Sequence, residues 1–236
     1  MRALLVRVGA DQTEGGGRWN APVNSLTWEF AYVPIPETKT IYPGLHKPYS
    51  LVAHAANNLG RELPVALRKM NMHLDPDFSH LTYGDQGERA KQISSKLGKG
   101  DLIVFYAALA DINPAPRLIY AIIGLYVIDR IVSAMHISKE CWDENAHTRR
   151  ILPADANDIV LHAQPRVSGR LVTCLPIGEY RDRAYRVTLP LVEAWGGLTV
   201  RGAYLQRSAR LPEILDANAF YEWFKDQRAQ LVAQND

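Results

Sequence analysis

Thirteen residues, HLDPDFSHLTYGD, bring together His73, Asp75, Asp77, His80, Tyr83 and Asp85. Carboxylates beside imidazoles are the materials of general acid–base catalysis, because each charge shifts its neighbour's proton affinity. Asp75 or Asp77 would serve as base or nucleophile, with His80 or His147 as proton donor or orienting group. The same side chains are oxygen and nitrogen metal ligands. Their spacing, however, fits neither an HExxH helix nor a calcium loop with its fixed Gly and Glu. No metal and no cofactor is assigned. A local account competes: DPD makes a turn, Asp77 and Ser79 can bond nearby backbone, and Asp85 can cap the helix that follows.

A second group lies in DENAHTRR. If this segment is one helix, Asp143 and His147 are four apart and share a face, so the carboxylate could orient the imidazole. Arg149 and Arg150 follow and could hold an anion. A histidine at a helix C-terminus is also stabilised by the helix dipole with no further role. A third group is RVGADQTEGGGRWNAPV. Its triple glycine, Gly15 to Gly17, could let backbone N–H groups approach a phosphate. It lacks the GxGxxG order and the lysine of a nucleotide loop. Trp19 beside Asn20 pairs an aromatic face with an amide edge, the combination that reads an exposed base, although Trp19 would serve equally as core. Cys141 and Cys174 have no evident activation, and no GxSxG elbow occurs.

These groups need elements to position them. Ala3 to Val8 reads as a central strand and Leu26 to Ile35 as another, alternating Trp28, Phe30 and Tyr32 until the prolines 34 and 36 stop it. A short helix is expected near Leu51 to Leu59. Gln86 to Leu97 is the clearest helix, with Asp85 as cap, Glu88 three residues on and Gly98 beyond its end. Leu102 to Ala108 and Leu118 to Val132 read as an antiparallel pair around the loop Asp111 to Pro116, with Gly124 as a bulge. The pair is expected to wall a cavity sized for a flat heterocycle. Ser138 would cap a helix through Arg149. Short strands are expected at Asp158 to His162, Arg170 to Leu175 and Ala184 to Leu189. Asn218 to Ala233 would close the chain as a helix with an aromatic face of Phe220, Trp223, Phe224 and Leu231. Strands mixed with short helices, without βαβ alternation, predict an α+β fold with a mixed, mostly antiparallel sheet and flanking helices.

The 236 residues, without repeat or linker, suit a single domain over 1–236. Two cysteines exclude a disulfide framework and point to a reducing compartment, read here as cytoplasmic. The N-terminus is too short and too charged for a signal peptide. The longest apolar run falls short of the ~20 residues that span a bilayer, so no membrane role is expected. Net charge is +2, with 27 basic against 25 acidic residues, which gives no long-range pull toward polyanions. The arginines are uneven, with Arg149, Arg150, Arg166, Arg170, Arg181, Arg183, Arg186, Arg201, Arg207 and Arg210 in one stretch.

Two resemblances follow from strings now quoted. GDLIVFYAAL and YAIIGLYVIDRIV resemble a strand pair of PUA-like domains of the EVE and ASCH groups. That likeness implies a partly open β-barrel with a nucleobase pocket. RVGADQ, WNAPV, YVPIPE, HLDPDFSHLTYGD, GDLIVFYAAL, NAHTRR and RGAYLQ, spread over most of the chain, resemble the third nucleotide-modification-associated domain family. That resemblance implies work near DNA or nucleotide modification in bacteria or their phages. Three expectations stand. The chain could be a reader that stacks a base on Trp19 or Tyr106, reads its edge with Asn20, and engages base or phosphate with Tyr83, Asp85, Arg149 and Arg150. It could be an enzyme acting on a base, nucleotide or glycosidic bond through the Asp/His cluster, in which Asp77→Asn would fold normally and lose turnover. It could be a non-catalytic subunit docking a protein partner through the C-terminal helix.

Overall fold

Two long apolar runs set the centre of the molecule. The computed structural model describes residues 1–12, 19–114 and 117–236, so Gly15 to Gly17 and Pro116 lie outside the described residues. The strands are β1 (Ala3–Arg7), β2 (Pro22–Val23), β3 (Ile35–Pro36), β4 (Met72–His73), β5 (Thr82–Asp85), β6 (Leu102–Asp111), β7 (Leu118–Ser133), β8 (Ile159–Ala163), β9 (Gly169–Pro176), β10 (Gly178–Arg181), β11 (Ala184–Val187), β12 (Glu213–Ile214) and β13 (Leu231–Val232). The α-helices are α1 (Ala53–Asn58), α2 (Val65–Arg68), α3 (Gly87–Lys96), α4 (Ala146–Arg149), α5 (Leu189–Ala194) and α6 (Ala217–Asp226).

β6 and β7 pair antiparallel, and their register shifts at Phe105/Tyr106 opposite Gly124. A Cβ at Gly124 would strike the Phe78 ring and the Gly169 carbonyl, so the bulge belongs to glycine for steric reasons. β1 adds to β6 in parallel, from Ala3↔Leu102 to Arg7↔Tyr106. The main path runs β12-β1-β6-β7-β8-β5, and β2, β9 and β13 join it to make nine strands. The result is the mixed, mostly antiparallel sheet of an α+β fold. It is an open sheet and not a closed barrel. Nor do β6 and β7 together enclose a cavity between them among the described residues. Phe105 and Tyr126 meet edge to face at 4.8 Å, and Phe78 packs on both rings at 5.7 and 5.6 Å, which fills that space.

Other expectations are corrected in detail. Leu26 to Ile35 is no continuous strand. Trp28 N–H bonds the Asn24 carbonyl at 2.7 Å with a left-handed φ of 62°, which folds residues 24–29 into a turn. The alternation misled because residues 30–34 are buried on both sides. The segment from Ser138 is not one helix. A 3-10 turn over Lys139–Glu144 stops at extended Asn145, which restarts the chain as α4 through a capping box with Thr148. Asp85 does not provide the expected side-chain cap for α3, whose N-cap Gln86 also makes no side-chain cap bond. The aromatic face of α6 sits on Trp195 of the same chain, with Phe220 and Trp223 ring centroids 5.2 and 5.1 Å away. Leu231 lies beyond α6, in β13 against β9. Beyond β13, Asn235 bonds Asp77 Oδ1, Ser79 and the Phe78 N–H. Among the described residues no helix is long and apolar enough to cross a membrane.

Candidate active site

A cleft of about 420 Å³ opens beside the C-terminal end of β1 and along β5. Three short elements deliver its floor. β3 holds β4 through the pairing Ile35↔His73, which places His73 and, two residues on, Asp75. Asn145 accepts the His147 N–H at 2.8 Å and so aims α4 inward. Gly84 on β5 brings the third wall close. A Cβ there would collide with the His147 ring and the Asn145 side chain, so glycine permits the approach.

The floor consists of His73, Asp75 and His147, all buried. Asp75 Oδ1 accepts from the Gly84 N–H and from Asn145 Nδ2, both at 2.9 Å. Asp75 Oδ2 faces His73 Nε2 at 4.0 Å and His147 Nε2 at 3.9 Å. Each imidazole is backed by a carboxylate: His147 Nδ1 by Asp158 at 2.5 Å, and His73 Nδ1 by Glu37 at 2.7 Å. Arg150 grips Glu37 with contacts of 3.0 to 3.2 Å. Its Nη2 also stands 3.0 Å from His73 Nδ1. Anionic Glu37 at 2.7 Å decides the tautomer, because Nδ1 must carry the proton that bonds it.

Burial pushes the Asp75 carboxyl up to about 7, against the pull of His147, the Gly84 N–H and Asn145. Burial also pushes His73 down to about 4, with His147 and Arg150 acting in the same direction and Glu37 against them. Burial alone would raise Glu37, but its bonds to His73 and Arg150 hold it near 2. His73 is therefore a neutral ring at physiological pH. Two imidazoles and a carboxylate in this arrangement can exchange protons with a ligand, or hold a metal ion.

The walls are cationic. Arg7, Lys39, Arg89, Arg150 and Arg207 line the cleft, against the carboxylates Asp75 and Asp85. Further carboxylates stand behind: Asp11 pairs with Arg7 at 2.9 Å and Arg207 at 3.2 Å, and Glu37 holds Arg150. The arginines are thus fixed in place, with positive groups in the lining and negative groups behind them. On β5, Tyr83 donates to Asp85 at 2.5 Å and accepts from Arg89 at 2.8 Å.

Of the residues named from the sequence, His73, Asp75, Tyr83, Asp85, His147, Arg150 and Arg207 line this cleft. Asp77, His80 and Arg149 do not. Asp77 forms a buried ion pair with Arg149 at 2.6 Å, lies 3.2 Å from His80 Nδ1, and accepts from Asn235. That network knits the turn to α4 and the tail. Asp143 pairs with Lys47 and Arg149, so it does not orient His147. Trp19 packs half-buried on the core. Asn20 donates to the Ala108 carbonyl at 2.8 Å, and Tyr106 is 1% exposed with its hydroxyl on the Gln206 carbonyl. None of these three lines the cleft. Sequence reasoning did not single out Glu37, Asp158, Gly84, Asn145 or Arg89. The pair Asn145 and Thr148 carries a visible capping signal, but Glu37 and Asp158 meet their histidines only through the fold.

Together these features define an α+β fold with a polar cleft floored by His73, Asp75 and His147. The chain belongs to the nucleotide modification associated domain 3 family, whose model matches residues 2–229. No curated protein and no solved structure matches it. The family's description associates the chain with nucleotide or DNA modification.

Proposed function

We propose that the cleft takes one nucleotide unit, free or turned out of a DNA strand, and that the protein acts on it as an enzyme. The convergence of His73, Asp75 and His147 below a wall of fixed arginines carries this reading. The arginine forks suit phosphate oxygens. A cleft of about 420 Å³ falls in the range of small-ligand sites. Held by its phosphate, the ligand presents its sugar or base to the three buried groups, where orientation and desolvation favour reaction. Turning a base out of a duplex costs a few kcal/mol, which the cleft contacts would offset.

A second reading is supported by one observation. Asp75 Oδ1 is already engaged by Gly84 and Asn145, so the carboxylate could serve only to shape a recognition pocket. One experiment separates the two. The full chain is incubated with deoxynucleoside monophosphates and with oligonucleotides carrying modified or mispaired bases, and mass changes are followed alongside binding. A covalent change lost in Asp75→Asn supports the enzyme. Binding without any mass change, still weakened by Lys39→Ala, supports the reader. Absence of both removes the cleft from consideration as a nucleotide site.

A further inference from the structure

We propose that His73 Nε2, His147 Nε2 and Asp75 Oδ2 bind one divalent first-row transition ion, of the Zn²⁺, Mn²⁺ or Fe²⁺ class, at the floor of the cleft. The inference rests on the enzyme reading for what the ion does, but ion binding itself is testable with no nucleotide present.

Three observations carry it. The ligand atoms of the three residues all lie within 4.8 Å of one another, and the two Asp75–histidine separations are 3.9 and 4.0 Å. Donors bound at about 2.1 Å to one ion stand roughly 3.0–3.4 Å apart, so ring tilts of about half an ångström close the shell. Those separations are too long for hydrogen bonds. No described residue hydrogen-bonds to either Nε2. Two imidazole nitrogens, on side chains 9% and 4% exposed, therefore face one carboxylate oxygen without a hydrogen-bond partner. Both rings line the cleft, so these nitrogens are open to an incoming ligand atom or ion.

The second observation concerns the opposite ring nitrogens. Both histidines bond a carboxylate through Nδ1, Asp158 in one case and Glu37 in the other. A carboxylate behind a histidine fixes the tautomer, directs the Nε2 lone pair away from it, and raises ligand basicity. An acid–base site needs one such pair. Two of them converging on a third carboxylate is what a ligand set needs.

The third is the fixing of Asp75. Its Oδ1 is anchored by Gly84 and Asn145, leaving Oδ2 aimed between the rings. The trio lines the cleft, so further coordination positions open toward a ligand and water. Two nitrogens and one oxygen suit borderline transition ions, in contrast to the all-oxygen shells of Ca²⁺ or Mg²⁺. A bound ion would polarise a ligand oxygen or activate a water at this floor.

The test uses the full chain, stripped by chelator, dialysed, and titrated with Zn²⁺ and Mn²⁺ by calorimetry and with Co²⁺ by visible absorption. One equivalent is expected. Asp75→Asn and His147→Ala should abolish it, Asp158→Asn should weaken it roughly 10- to 100-fold, and Lys225→Ala, on the outer face of α6 beside Glu222, should leave it unchanged. Circular dichroism melting confirms folding of each variant. No saturable binding by folded wild type at millimolar ion overturns the inference, as does unchanged affinity in Asp75→Asn and His147→Ala. Deoxynucleotide binding is measured on the same preparations. Nucleotide bound without a saturable ion site overturns the metal inference alone. A saturable ion site with no ligand bound in the cleft supports the metal inference and removes the nucleotide reading alone.

Discussion

Two aspartates two residues apart have opposite fates. Asp75 faces the imidazoles of the cleft, while Asp77 is the anion of a buried pair with Arg149, whose side chain is 2% exposed. Removing one partner of such a pair costs up to about 3 kcal/mol, and the half-exposed Asp143, 3.3 Å from Arg149, offsets only part of the charge left behind. Asp77→Asn is therefore expected to lower the denaturation midpoint markedly, contrary to the expectation of normal folding drawn from the sequence. Asp75→Asn keeps the acceptor for Gly84 and should shift the midpoint little while changing the cleft chemistry. An equal loss of stability in both variants would contradict this contrast.

The Asp77–His80 contact has a pH signature. The bond to Asp77 raises His80 above its ordinary 6.5. Burial would raise Asp77, but His80, Arg149 and Asn235 together lower it below 3.8. A depressed carboxylate contributes stability above its unfolded value, lost as pH falls through the folded one. A raised imidazole contributes below its unfolded value, lost as pH rises through the folded one. The pair's contribution is thus fully present between pH 3.8 and 6.5. Proton NMR titration should find His80 above 6.5 in the wild type and lower in Asp77→Asn.

At the scale of elements, the cleft depends on short pieces. α4 has four residues, too few to be helical unaided, and Asn145 both caps it and bonds Asp75. Asn145→Ala should cost about 1–2 kcal/mol of stability from the lost cap. Ligand or ion affinity should fall by more than that cost explains, because His147 and Asp75 are displaced together. Full affinity in a folded Asn145→Ala would show that α4 is held by other contacts. Sequence patterning served long elements well: β1, α3, and the β6–β7 pair with its Gly124 bulge were legible from local apolar runs, although the side-chain cap read for α3 is not formed. It failed where direction changes within a few residues. Residues 24–29 turn because Asn24 accepts from Trp28, and residues 139–149 break at Asn145, where a competing cap outweighs helix continuity.

For the molecule as a whole, the floor and the carboxylates behind it join residues 37, 73, 75, 147 and 158. The motif around Asp75 announced chemistry, and His147 announced a partner, but the sequence paired it with Asp143. The true partner, Asp158, follows α4 and leads into β8, and only the β5–β8 pairing brings it back. Tyr106, read from the sequence as a stacking platform for a base, is 1% exposed and lies too deep to stack on anything outside the core. Arginines scattered in sequence at 7, 89, 150 and 207 become one wall because β1, α3, the residue after α4 and the loop before β12 all reach this cleft. Nucleotide or single-stranded DNA affinity should accordingly fall as salt rises, with a modest log–log slope of about −1 to −2 for one or two phosphates held. Fluorescence anisotropy across a salt series measures it, and a flat response would mean that the wall holds no phosphate.

Asn235 acts as a clasp, fastening the far end of the chain to the backbone of Phe78 and to Asp77. Removal of residues 227–236 would undo this fastening and strip β13 from β9. The expected result is faster amide exchange at residues 78–80, a few steps from the aspartate on which the cleft turns. A fusion partner added after Asp236, or a protease nick before it, would be felt at the same place.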